Sequence, residues 1–162
     1  MTERPLLFSQ WKVQRIHDGA TQTRRPVKEK PPSPAYSLEW YGDPPDSPVG
    51  GVGWYWLDGW VTVGPVRCPF GVPGDLLVPL TAWSVDALYD CCKPLELPKC
   101  QPTWSHWSGN KQPSHHGRLR PGRFMPLFLR GQLPRLLVER VWAESPWENN
   151  PWVWGCEVEM KA

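Results

Sequence analysis

Apolar positions in this chain come in short segments that proline and glycine interrupt. Segments of this kind predict β-strands at residues 4–8, 37–41, 76–80, 135–142 and 152–160. Residues 53–57 and 60–66 flank Asp58 and Gly59, a pair typical of two-residue hairpin turns. No long helical period and no internal repeat is visible, so the pattern indicates a protein built mainly of short strands.

Two segments favour short helices instead. Ser9 is a suitable N-cap for a helix over residues 10–18, and Gly19 is a suitable residue to end it. Ser84 can cap a second helix over residues 84–92. After the first helix, we expect residues 21–25 to be extended. Pro26 then prevents this segment from continuing as a central strand.

The composition agrees with a small, strand-rich domain. The 162 residues suffice for one domain with one core. The 21 prolines disfavour long helices, and the 12 tryptophans argue against disorder because each ring has a large apolar area to bury. We predict a single α+β domain over residues 1–162: a small, mostly antiparallel β-barrel with one or two short helices and a long polar loop at about residues 93–123.

Charge and cysteine content narrow the functional classes only slightly. The formal net charge of +2 is too small to indicate a nucleic-acid-binding protein by itself, but cationic residues cluster at residues 24–30 and 111–123. Five cysteines, an odd number, fit a reducing compartment better than a disulfide framework. The first residues lack the apolar core of a signal peptide, and no apolar run approaches the ~20 residues of a membrane span. We therefore expect a soluble intracellular protein with no membrane partner.

Four motifs in order along the chain carry a resemblance to a known group: IHDGATQTRRPVK, CPFGVPGDLLV, RPGRFMP and NPWVWGCEVE. The chain resembles small bacteriophage proteins near the ASCH superfamily, whose barrel is similar to the PUA domain. This resemblance implies a PUA/ASCH-like barrel that acts in the host cytoplasm. Fold relatives bind RNA or modified bases, and some hydrolyse acetylated cytidine.

The loop at residues 18–26 departs from the family pattern. It is one residue short, and Ala20 stands where the family has a lysine. In related amidohydrolases that lysine is thought to assist a threonine nucleophile, which would match Thr23. A threonine hydroxyl without a neighbouring base or cation is a poor nucleophile, so we lean towards binding without catalysis. Glu139, Glu144 or Glu148 could enter the cleft, but no feature of the sequence assigns one.

The candidate ligand-binding residues carry hydroxyl, amide, guanidinium or indole groups. Arginine can grip a phosphate in a forked geometry, and tryptophan near arginine is the arrangement expected where bases stack beside phosphate contacts. The candidates are Thr21, Gln22, Thr23, Arg24, Arg25, Trp83, Trp104, Trp107, Arg118, Arg120 and Arg123. The same residues also suit structural roles, in which threonines satisfy backbone groups, an arginine forms an ion pair and most tryptophans lie in the core.

Three functions from different classes remain open. The first is binding of RNA, DNA or a nucleotide-like ligand, with no cofactor. The second is amide hydrolysis on a modified nucleoside with Thr23 as nucleophile. The third is binding of a host protein by an exposed tryptophan-rich surface. A zinc site is also conceivable from Cys91, Cys92, Cys100, His106, His115 and His116, although no Cys-x-x-Cys pair is present and we predict no metal.

Overall fold

Strands dominate the structure, a computed structural model, which describes residues 1–41, 53–59, 61–99, 102–145 and 152–161. The strands are β1 (Glu3–Leu7), β2 (Gln22–Pro26), β3 (Ser37–Tyr41), β4 (Gly53–Asp58), β5 (Val61–Val66), β6 (Leu76–Leu80), β7 (Trp83–Val85), β8 (Thr103–Ser105), β9 (Arg135–Glu144) and β10 (Val153–Lys161). The α-helices are α1 (Gln10–His17) and α2 (Leu127–Arg130), and short 3-10 helices lie at Ala87–Tyr89, Pro94–Glu96, His106–Ser108 and Gly122–Phe124. The fold is a mixed α/β fold made mostly of strands.

The described strands form three sheets. The largest has the order β1-β6-β9-β10-β2, in which β1 and β6 are parallel and the other neighbours are antiparallel. Strands β3, β4 and β5 form an antiparallel sheet, and β7 pairs with β8. Within the described ranges every sheet is open, so the closed barrel that the sequence predicts is not confirmed. Strands β1 and β2 are the two edges of the largest sheet.

Both faces of the largest sheet are covered by apolar side chains. Successive residues of a strand point to opposite faces. On β6, Leu77 packs into a cluster with Val13 of α1 and Trp154 of β10, whereas Val78 packs into a second cluster with Leu129 of α2. The first cluster also takes in side chains of the three-stranded sheet. The sheet is therefore held between two cores, and α1 is fixed on the first.

Helix α1 and strand β2 follow directly from local sequence signals. The Ser9 hydroxyl caps the helix by accepting a hydrogen bond from the Lys12 backbone at 3.3 Å. Val13 and Ile16 are the buried residues of the helix. The chain leaves the helix through Gly19, whose φ of 92° favours glycine. Strand β2 then pairs with β10, which places the loop between the helix and an edge of the sheet.

Most predicted elements are confirmed, with small shifts at their ends. The prediction of a helix over residues 84–92 is wrong, because Ser84 lies in β7 and its hydroxyl bonds to the buried ring of His116 at 3.1 Å. Asp86 rather than Ser84 caps the short 3-10 helix that follows, through a bond from the Leu88 backbone. The polar segment 93–123 is also more ordered than a simple loop, since it contributes β8 and three 3-10 helices.

Some predicted features lie outside the described residues. These are Trp60, at the start of the second hairpin strand, Cys100, Glu148, and Asn150 and Pro151 of the last motif. Among the helices that the structure describes, none has the length and apolar character needed to cross a membrane.

Candidate anion-binding site

A cleft of about 720 Å³ opens between the two edge strands of the largest sheet. Pockets for small molecules commonly have such volumes. We call it the basic cleft, and its lining residues are Pro5, Leu6, Leu7, Ser9, Lys12, Arg25, Pro26, Lys28, Glu29, Arg67, Pro69 and Trp154. Side chains of α1, β1 and β2 thus surround the gap at which the sheet stays open.

Arg25 of β2 reaches across this gap. Its Nη2 donates a hydrogen bond to the carbonyl of Leu7 on β1, and its guanidinium lies 5.9 Å from the ring centroid of Phe8. Its Nε is buried and has no hydrogen-bond partner among the described residues. Burial lowers the pKa of Arg25 from its ordinary value. Arg25 therefore lines the cleft with a guanidinium that is fixed to β1, and its one unpartnered donor is covered from solvent.

Lys12 of α1 is the second cation held in this place. Its Nζ donates to the backbone carbonyl of Arg24 at 2.9 Å. Partial burial lowers the pKa of Lys12, and the positive charge of Arg25 lowers it further. Two like charges that share a partly desolvated site repel each other, so an anion between them would be stabilised.

The charge of the cleft is unbalanced. Lys28 and Arg67 are exposed cations of the lining, whereas Glu29 is its carboxylate. The ion pairs found in the described part of the chain use other cations: Arg4, Arg24, Arg135 and Lys161. None of the four cations of the cleft takes part in these ion pairs, although Lys12 and Arg25 each donate to a backbone carbonyl.

A smaller cavity of about 180 Å³ lies on the other side of Lys12. We call it the small cavity, and its lining residues are Trp11, Lys12, Arg15, Ile16, Gln22, Thr23 and Arg24. Thr23 is only 6% exposed, and its hydroxyl oxygen is buried without a partner in the described structure. Trp11 is 64% exposed, with the Arg15 guanidinium 5.2 Å from its ring centroid. Lys12 lines both the small cavity and the basic cleft.

The two arginines of the loop do not act as one forked grip. They are consecutive on β2 and so point in opposite directions. Arg24 forms an exposed ion pair with Glu144 at 2.9 Å and lines the small cavity, whereas Arg25 lines the basic cleft. Glu144 is therefore engaged at the surface, and neither Glu139 nor Glu144 lines either cavity.

Thr21 and Gln22, the two candidates that precede Thr23, are exposed. Gln22 lines the small cavity. Thr21 contributes its backbone, because its carbonyl accepts a hydrogen bond from the Val158 amide at 2.7 Å.

Trp83 and Arg120 have structural partners. Trp83 is 1% exposed and donates from Nε1 to the carbonyl of Pro121 at 3.1 Å, so its ring faces are not open to a base. Arg120 is 6% exposed, lies 5.2 Å from the Trp83 ring centroid, and donates to the carbonyls of Tyr89 and Cys92, each at 2.8 Å. This pair joins segments of the second core.

The other candidates of the polar segment lie in two separate places, tryptophans in one and arginines in the other. Trp107 donates to the carbonyl of Pro79 at 2.9 Å, and Trp104 donates to that of Asn110 at 2.8 Å. Both are half-buried and line cavities other than the two at Lys12. Arg118 contacts Asp90, and Arg123 lies over the ring of Phe124, 4.8 Å from its centroid. Trp104 and Trp107 line one cavity of about 160 Å³ together with Trp83, whereas Arg118 and Arg120 line a different one. The structure thus gathers the candidate tryptophans but does not interleave them with the arginines.

Exposed tryptophan faces are few in the described part of the chain. Trp11 on α1 and Trp40 on β3 are exposed, and they lie on separate elements.

Cysteine and histidine residues form no group of three or more potential metal ligands within the described residues, a set that leaves out Cys100. Cys91 is exposed and Cys92 is half-buried. Cys68 and Cys156 are buried, and burial raises the pKa of their thiols to about 11 and about 12.

The second motif supports the rim of the basic cleft. Asp75 accepts hydrogen bonds from the Thr2 amide at 3.0 Å and from Arg4 Nε at 2.7 Å. Burial would raise the pKa of Asp75, but these bonds outweigh it, so the pKa lies below its ordinary value. The turn from Cys68 to Asp75 is thereby tied to β1, and Pro69 within it lines the cleft.

Sequence reasoning missed Lys12, Trp11 and Arg67 as site residues. Lys12 had a usable signal, because it precedes the buried Ile16 by four positions and so lies on the same helix face. Arg67 is distant in sequence from the loop, and no local pattern connects it with Arg25.

Comparisons of this chain with models of protein families, with curated proteins and with solved structures found no match.

Proposed function

We propose that this protein binds nucleic acid or a nucleotide-like ligand and holds a phosphate in the basic cleft. The observation that carries the proposal is the pair of cations Lys12 and Arg25. Both are partly buried, neither has a carboxylate partner in the described residues, and the pKa of each is lowered. A phosphate in the cleft would neutralise the pair.

The number of cations favours a phosphate-bearing ligand over a simple carboxylate. One carboxylate is neutralised by a single arginine, whereas this cleft has four cations against one carboxylate. Lys28 and Arg67 are exposed and extend the positive surface outside the inner pair. A ligand with several phosphates along a backbone matches such a surface.

The test is the binding of fluorescently labelled single-stranded RNA and DNA, measured by anisotropy. We expect Arg25→Ala and Lys12→Gln each to weaken binding about 10- to 100-fold, because a hydrogen bond to a charged group contributes about 1.5–3 kcal/mol. Arg123→Ala is the matched control, since it removes the same charge from an exposed arginine that lines neither cavity. Equal losses in all three variants, or no binding by the native protein, would overturn the proposal.

Salt dependence gives a second readout. For single strands the slope of log affinity against log salt is about −0.7 per neutralised phosphate. Removal of Arg25 should make the slope shallower by about that amount over roughly 50–200 mM salt. The Arg123→Ala variant should keep the native slope.

One observation favours a second candidate function, amide hydrolysis on a modified nucleoside. Thr23 and Lys12 line the same small cavity, so Lys12 of α1 offers an amine where the family's lysine is replaced by Ala20. The lowered pKa of Lys12 would help it to accept the proton of the threonine hydroxyl. Acetylated nucleosides are the substrates to assay. Turnover that both Thr23→Ala and Lys12→Met abolish would support catalysis, and no turnover by the native protein would refute it.

We also propose that the largest sheet is an opened form of the PUA/ASCH-like barrel of a phage accessory protein. Its edge strands β1 and β2 face each other across the basic cleft, and Arg25 bridges them by bonding to the Leu7 carbonyl. A side chain thus occupies the position at which a backbone ladder would close a barrel. The four ordered sequence motifs support the same proposal.

A further inference from the structure

We infer that the small cavity is a base subsite, which receives the base of one unpaired nucleotide while the phosphate of that nucleotide lies in the basic cleft. This inference rests on the proposed function. The basic cleft accounts for the phosphate of the ligand, and the small cavity would account for its base. Lys12 connects the two places because it lines both.

Trp11 offers the stacking surface. It is a large aromatic residue that the core does not use, since 64% of it is exposed at the edge of the small cavity. Arg15, one helical turn further along α1, lies over the ring at 5.2 Å from its centroid. A guanidinium on one face orders the indole and leaves the opposite face for a base. Stacking of this kind tolerates different bases because each base has a π-face.

Thr23 adds a buried hydroxyl to the residues around the cavity. A buried hydroxyl without a hydrogen-bond partner is unfavourable in the free protein. Thr23 is more than nine-tenths buried, its Oγ1 has no partner among the described residues, and the residue lines the cavity. The hydroxyl is covered in the free protein, so a polar group on the edge of a base would satisfy it only after the side chains around it shift. The exposed amide of Gln22, also in the lining, can serve as either donor or acceptor.

The small cavity and its stacking surface restrict the ligand. The cavity volume of about 180 Å³ is about a quarter of that of the basic cleft. A base can stack on Trp11 only where one of its own faces is free. We therefore expect an unpaired base, as in a free nucleotide, a single strand or a nucleotide turned out of a duplex.

The experiment is isothermal titration calorimetry with the full chain and four ligands: inorganic pyrophosphate, nucleoside monophosphates, a single-stranded oligonucleotide, and the same oligonucleotide as a duplex. Trp11→Ala should weaken single-strand or nucleotide binding about 5- to 150-fold and leave pyrophosphate binding unchanged. Trp11→Phe should retain most of the affinity because it keeps an aromatic face. Trp40→Ala, an exposed tryptophan on β3, is the matched control and should bind like the native protein.

Thr23→Val is the second variant. It keeps the shape of the side chain and removes a hydroxyl that has no partner, so the thermal midpoint should stay equal or rise. Its affinity for the nucleotide or single strand should fall severalfold. A change in affinity without loss of stability separates ligand contact from structural damage.

The outcomes distinguish the two proposals. Nucleotides that lose affinity in Trp11→Ala identify a free ligand, whereas a loss confined to the single strand identifies a nucleic acid, and either result supports the subsite. Unchanged affinities in both Trp11→Ala and Thr23→Val, together with a loss in Lys12→Gln, would overturn the subsite and leave the proposed function intact. Duplex binding as tight as single-strand binding would also overturn it. If the native protein binds none of the four ligands, the proposed function itself is overturned.

Discussion

Arg120 provides a strict test of whether a basic residue serves the fold or a ligand. The sequence makes it a ligand-binding candidate, but the structure buries it against Trp83 with hydrogen bonds to the carbonyls of Tyr89 and Cys92. The substitution to examine is Arg120→Met, which keeps the apolar stem and avoids a large cavity.

The expected cost follows from the contacts that are lost. Two hydrogen bonds from a charged donor contribute about 1.5–3 kcal/mol each, and a desolvated contact between a cation and an aromatic ring adds about 2 kcal/mol. Relief of the burial penalty of the guanidinium offsets several kcal/mol of that sum. We therefore expect Arg120→Met to lower the free energy of unfolding by about 2–4 kcal/mol, a large share of the 5–15 kcal/mol typical of a domain.

The assay is urea denaturation at equilibrium, with Arg118→Met as the matched control. Arg118 is exposed, and its guanidinium donates a long hydrogen bond of 3.3 Å to the Asp90 carbonyl. Its substitution should change stability by less than about 1 kcal/mol. Equal effects of the two substitutions, or a loss below about 1 kcal/mol for Arg120→Met, would refute the structural role. Where both variants are folded, their ligand affinities should match the native value.

Three further predictions address charge, pH and backbone geometry. Affinity for a phosphate ligand should fall as pH rises towards 10.5, because the pKa of Lys12 is below that ordinary value and loss of the proton removes the charge; Lys12→Arg should retain affinity to higher pH in the same anisotropy titration. Burial lowers the pKa of His116 below 6.5, so the unfolded chain takes up the proton first as pH falls, and urea midpoints should decrease below about pH 6.5 in the native protein but less in His116→Gln. Gly71→Ala should destabilise by about 2–4 kcal/mol in thermal or urea unfolding, since φ is +76° and the added Cβ would overlap the Arg4 side chain. Gly74→Ala, with φ +95° and open space around it, should cost only the backbone strain of about 1–2 kcal/mol, and equal losses at the two glycines would show that the overlap has no effect.

Elements with their own local signals could be predicted from the sequence. Ser9 and Gly19 bracket α1 because capping depends on neighbouring residues alone. Gly59 sits in the hairpin turn at φ 57°, a conformation that follows from its residue type. The segment at residues 84–92 was mispredicted because long-range contacts overrule its helical signal. Ser84 pairs with a strand and a histidine about twenty and thirty residues later in the chain.

The candidate site was predictable only in part. Thr23 and Arg25 belong to a loop whose composition already indicated binding, and both line cavities. The extended conformation predicted for residues 21–25 already implied that Arg24 and Arg25 point in opposite directions, but which cavity each of them lines depends on the tertiary structure. Trp83 and Arg120 match the composition of a binding site equally well, and only their burial reveals a structural role.

By itself the sequence determined most of the short strands, the capped helix and the basic loop, because each depends on residues close together in the chain. The tertiary structure alone decided that the largest sheet stays open between β1 and β2, and that Arg25, Lys12 and Arg67 meet in that opening. The physical reason is that repulsion among cations and the loss of their hydration depend on distance in space. Residues 12, 25 and 67 acquire a common role only when a helix, an edge strand and a turn pack around one cleft.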